Sequence, residues 1–88
     1  MNLLDDILRM SEMPLLAIEV LSPKQGGYDI LEKFKLYFTL GVQSCWLVIP
    51  NTRTVVVYST PDSFATFGTG EVIDESLGIQ IPVEEIFE

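Results

Sequence analysis

The sequence predicts an α/β fold, a strand–helix–strand unit followed by an antiparallel β-hairpin and meander. Three stretches carry that expectation. Residues 15–21, LLAIEVL, are apolar throughout except for Glu19. Residues 28–41, YDILEKFKLYFTLG, repeat apolar side chains at helical spacing. Residues 44–49, SCWLVI, and 53–59, RTVVVYS, are rich in the β-branched and aromatic side chains that fit a pleated surface. A strand, a short loop and a helix in that order form the first half of a β-α-β crossover. Residues 44–49 should therefore return parallel to the first strand.

Leu3, Leu4, Ile7 and Leu8 lie at helical spacing, with Asp5 and Asp6 early, so a short helix is expected over 3–10. Met13-Pro14 breaks it. The run at 15–21 is too continuous for a one-sided strand, and both of its faces are expected to be covered. Ala17, Glu19 and Leu21 share one face; Leu16, Ile18 and Val20 share the other. Gln25-Gly26-Gly27 is a flexible loop. Asp29 can cap the following helix, and Glu32, three residues on, completes a capping-box variant. Ile30, Phe34 and Tyr37 form its apolar stripe, and Gly41 is a natural stop.

Pro50-Asn51-Thr52 is a turn, and residues 53–59 should pair with 44–49 as a hairpin. Residues 64–67 form a short strand, and 79–81 a last extended piece. Pro82 can open a final helical turn, VEEIF, as its first residue.

The chain has 88 residues and is 48% hydrophobic, which suits one small core rather than a disordered tail. A single domain over 1–88 is expected, with 1–13 as an N-terminal helical segment. No apolar run is long enough to span a bilayer, and the N-terminus lacks the basic region of a signal peptide. A cytoplasmic, bacterial protein is expected, without a membrane partner. The lone Cys45 excludes an intramolecular disulfide and reads as a small buried hydrophobe. With no histidine, His-based triads and most zinc sites are excluded. Thirteen acids against five bases give a net charge of −8. That balance disfavours unaided nucleic-acid binding, which needs a basic footprint, but it is compatible with a carboxylate metal site.

Glu19 stands out, because a carboxylate inside an apolar strand must be paired, metal-bound, protonated or turned to water. Lys33 lies near the edge of the helix stripe and can snorkel towards the strand. An acid on a strand with a lysine nearby is half of a metal-dependent hydrolytic site. The carboxylate would hold a divalent cation and the lysine would orient or help deprotonate water. The plainer alternative is that Glu19 lies on an edge, or pairs structurally with Lys33 or Arg53.

A family pattern runs through the same residues. MPLLAIEVLSP, then Asp29, Lys33, Tyr37, Gly41 and Val42, then Trp46 to Pro50, then Val57-Tyr58, resembles the Uma-two (Uma2) family of restriction endonucleases. That family belongs to the PD-(D/E)XK nuclease-like superfamily. The closing IPVEEIF resembles the family's C-terminal end, so the match covers about residues 13 to 87. The resemblance implies a restriction-endonuclease-like core, with Glu19 and Lys33 as catalytic residues. It also implies Mg²⁺ or Mn²⁺ held by Glu19 and the backbone carbonyl of Val20. Leu21 stands where the lysine of the E-x-K motif would be, and Lys33 on the helix matches the lineages in which that lysine has moved.

The chain also departs from the pattern. Family members carry a metal-binding Asp in a Pro-Asp context on the strand before the Glu strand. The 18 residues before Glu19 contain no Pro-Asp, and Asp5 and Asp6 fall in the expected helix. The chain resembles the C-terminal half of a family member and is expected to be truncated and inactive as a monomer. A free sheet edge predicts a homodimer or higher oligomer. Two further possibilities are activity through oligomeric completion of the site, and an acidic regulatory partner for a full-length nuclease relative.

Overall fold

The computed structural model of the chain describes residues 14–22 and 27–87. The helix expected over 3–10 lies outside the described residues. Strand β1 (Leu16–Val20) leads to helix α1 (Gly27–Thr39), then β2 (Ser44–Ile49) and a 3₁₀ turn (Pro50–Thr52). Strands β3 (Thr54–Thr60), β4 (Ser63–Phe67), β5 (Glu71–Asp74) and β6 (Ile79–Pro82) follow, and α2 (Val83–Ile86) closes the described fold. The main sheet runs β1-β2-β3-β4, and β5-β6 form a separate two-stranded sheet.

The crossover is as expected. β1 and β2 are parallel, with Glu19 opposite Leu47. β2, β3 and β4 continue as an antiparallel meander. Helix α1 starts at Gly27, so Asp29 sits inside the first turn instead of capping it, and there it favours the helix dipole. The C-terminus is a Schellman motif. Val42 N–H donates to Tyr37 O at 3.0 Å and Gly41 N–H to Phe38 O at 3.1 Å. The motif needs a left-handed residue, and Gly41 supplies it at φ 104°. Arg53 lies outside β3, in a left-handed turn at φ 50°, where its backbone N–H closes the 3₁₀ turn onto Pro50 O. Pro82 immediately precedes α2 instead of opening it.

Two cores lie on the two faces of the sheet. On one, Ile30, Phe34 and Tyr37 of α1 pack against Ala17, Cys45, Leu47, Val56 and Tyr58. Phe34 meets Tyr58 edge-on, with ring centroids 5.2 Å apart. On the other, Val72 and Val83 pack against Trp46, Val48, Val55 and Val57. The β5-β6 hairpin and α2 thus cover the far face, which explains why β2 is buried almost throughout. Cover does not extend along all of β1. Ile18 remains 47% and Val20 55% exposed, so the expectation of two covered faces fails for that strand. Among the described residues β1 is the terminal strand, and the hairpin's core reaches only its Leu16.

One buried polar contact ties the layers together. Trp46 Nε1–H donates to Asp74 Oδ2 at 2.8 Å, and Leu77 N–H donates to Asp74 Oδ1 at 3.1 Å. Among the described residues, no helix is long and apolar enough to cross a membrane.

Candidate active site

Glu19 and Ala17 share the face of β1 that lies under α1. Lys33 and Tyr37 lie one turn apart on α1, so their side chains leave the helix on the same side. The three meet. Tyr37 Oη donates a hydrogen bond to Glu19 Oε1 at 3.0 Å, and Lys33 Nζ lies 3.8 Å from the same oxygen. The Glu19 side chain is only 16% exposed, whereas that of Lys33 is 45% exposed. Both sequence-derived candidates are therefore brought together, with lysine reaching in from the solvent edge. Arg53, the other possible partner, lies elsewhere. Its guanidinium donates to Phe87 O and sits over the Phe87 ring.

Val20 contributes backbone. Leu21 N–H donates to Val48 O at 2.8 Å. In a parallel ladder, alternate residues address a given neighbour. Residues 17, 19 and 21 thus face β2, and the carbonyl of Val20 points to the opposite edge. Among the described residues β1 ends the sheet, and that carbonyl points to the outer side of β1.

The local electrostatics follow from burial. The Tyr37 phenol is raised far above its ordinary range, first by burial, then by its hydrogen bond to Glu19 and that carboxylate's charge. It therefore stays protonated and remains a donor. Burial, with a smaller contribution from Glu19, pushes the Cys45 thiol up to about 12. Cys45 is fully buried and is an inert core residue rather than a nucleophile.

Glu19 Oε2 accepts no hydrogen bond among the described residues, and it and the Val20 carbonyl are both hard oxygen donors. Such donors suit Mg²⁺ or Mn²⁺ in kind. In number they are few: among the described residues, no three His, Cys, Asp or Glu side chains cluster to hold an ion. The remaining positions would fall to water, substrate phosphate or an acid outside those residues. A cavity of about 410 Å³ between β4 and β5, lined by Val57, Phe64, Phe67, Ile73 and Glu75, includes none of Glu19, Lys33 or Tyr37. The chemistry of the strand–helix site, not cavity size, marks the candidate.

Comparison with known proteins bears on the same residues. The Uma2 family model, described as "Putative restriction endonuclease", matches residues 3–84. The chain belongs to the Uma2 family. The match takes in the Glu19 strand, α1 and both sheets. A crystal structure of a "putative nuclease" from Anabaena variabilis has a similar fold, with a TM-score of 0.70 and 25% identity. That similarity covers 82% of this chain and 42% of the Anabaena chain, so this chain spans less than half the length of that one. No curated protein matches the sequence.

Sequence reasoning placed Tyr37 in the helix stripe and in the family pattern but gave it no role. Its spacing of four from Lys33 was the available signal, because side chains so spaced reach the same point beside a helix.

Proposed function

We propose that the chain carries the acid–lysine half of a metal-dependent endonuclease site and is inactive as a single chain. The observation that supports this most is the convergence of Lys33 and Tyr37 on a largely buried carboxylate at the rim of the sheet. Among the described residues the acid sits on the last strand of the sheet with one oxygen left over, which a purely structural role does not require.

In this reading Glu19 Oε2 and the Val20 carbonyl would hold Mg²⁺ or Mn²⁺, which supplies Lewis acidity and an activated water at a phosphodiester. Lys33 would hold and orient that water, and its ammonium would offset charge developing on the phosphate. Tyr37 and the apolar stripe of α1 keep bulk water from the inner side of the carboxylate. One carboxylate is too few for a tight site, so activity would need a second acid from another copy or another segment. The half-exposed Ile18 and Val20 beside Glu19 suit a homo-oligomer joined at that edge.

Supercoiled plasmid with Mg²⁺ or Mn²⁺, incubated with the monomeric fraction, tests the reading. The plasmid should stay intact with the monomer, and any cleavage by an assembled fraction should disappear in Glu19→Ala. Cleavage by the monomer would overturn the inactivity, and cleavage that survives Glu19→Ala would overturn the assigned acid.

A further inference from the structure

We propose that Tyr37 is a positioning residue whose hydroxyl fixes Oε1 of Glu19 and so presents Oε2 to a divalent cation. The inference rests on the reading of Glu19 as the metal-holding acid and adds a residue to that site.

A glutamate side chain has three rotatable bonds, and holding it in one arrangement costs conformational entropy. Lys33 is a poor clamp. It is half-exposed, and at 3.8 Å its ammonium lies beyond good hydrogen-bond range. Tyr37 has the opposite properties. It is 2% exposed, packs with Ile30 and Phe34 in the core, and its carbonyl anchors the Schellman motif that ends α1. Its hydroxyl therefore sits at a fixed point, 3.0 Å from Oε1. The hydroxyl takes Oε1, the oxygen that Lys33 also approaches, and leaves Oε2 without a hydrogen bond among the described residues.

The test uses Mn²⁺ as the probe and paramagnetic broadening of backbone amide signals as the readout, without any activity measurement. In wild type, broadening should centre on residues 19–21 and the facing turn of α1, and Glu19→Gln should abolish it. Tyr37→Phe keeps the ring and removes only the hydroxyl. It should need about tenfold more Mn²⁺ for the same broadening, the scale on which partners of metal ligands act. Equal Mn²⁺ dependence in wild type and Tyr37→Phe would overturn the positioning role while leaving Glu19 as the acid. Absence of broadening near Glu19 in wild type would overturn both.

Discussion

Trp46→Phe is expected to destabilise the protein by about 3 kcal/mol, out of proportion to the atoms removed. The substitution keeps an aromatic ring among Val48, Val55 and Val57 but deletes the Nε1–H donor. Asp74 is 2% exposed, so no water replaces the 2.8 Å bond to Oδ2. It is left with the Leu77 N–H on its other oxygen. A buried acceptor without its partner costs more than the bond itself contributed. For a domain of this size each kcal/mol corresponds to roughly 4–8 °C, so the thermal midpoint should fall by more than about 10 °C. Combining Trp46→Phe with Asp74→Leu should recover part of the loss, because the buried acceptor goes with its donor and only the Leu77 N–H is left without its partner. Additive losses in that double-mutant cycle would show that the contact does not hold the hairpin to the sheet.

Alkali is the second large lever. The Cys45 thiol is held up to about 12 by burial and Glu19, against 9.0 for the exposed group, and Tyr37 and Tyr58 are raised as well. Each is an acid that the folded state keeps protonated. Below pH 9 the thiol binds its proton in folded and unfolded chains alike, and stability is independent of it. Above pH 9 the unfolded chain releases that proton while the folded chain retains it, so stability falls as pH rises towards 12. Chemical denaturation at several pH values between 7 and 11 should show a decline beginning near 9. Cys45→Ala should flatten it, and an unchanged slope in that variant would remove the thiol from the account.

Much of this fold is legible in the residues themselves. The run at 15–21, the stripe of Ile30, Phe34 and Tyr37, and Gly41 each state a local preference that the tertiary structure keeps. Glu19 and Lys33 were readable as a pair because one interrupts an apolar strand and the other borders the stripe that covers it. What could not be read is non-local. The alternation in EVID places Val72 and Asp74 on one face, yet nothing nearby says that this face meets Trp46, 28 positions earlier. The pairing of β5 with β6 likewise depends on a turn through Gly78, at φ 67°. The exposed half of β1 was misread because a continuous apolar run signals burial on both faces, and it cannot show that the strand ends the sheet.

On the proposed reading Glu19 is kept for what it binds and not for what it holds together. The most direct measurement is the thermal midpoint of Glu19→Gln beside wild type, without metal. Gln still accepts the Tyr37 hydrogen bond, while the cost of burying a carboxylate disappears and only a 3.8 Å ion pair with the half-exposed Lys33 is lost. Such pairs contribute about 1 kcal/mol at most. A midpoint equal to or above that of wild type is expected. A fall of more than about 8 °C, the effect of more than 1 kcal/mol in a domain this small, would make Glu19 a structural anchor and contradict that reading.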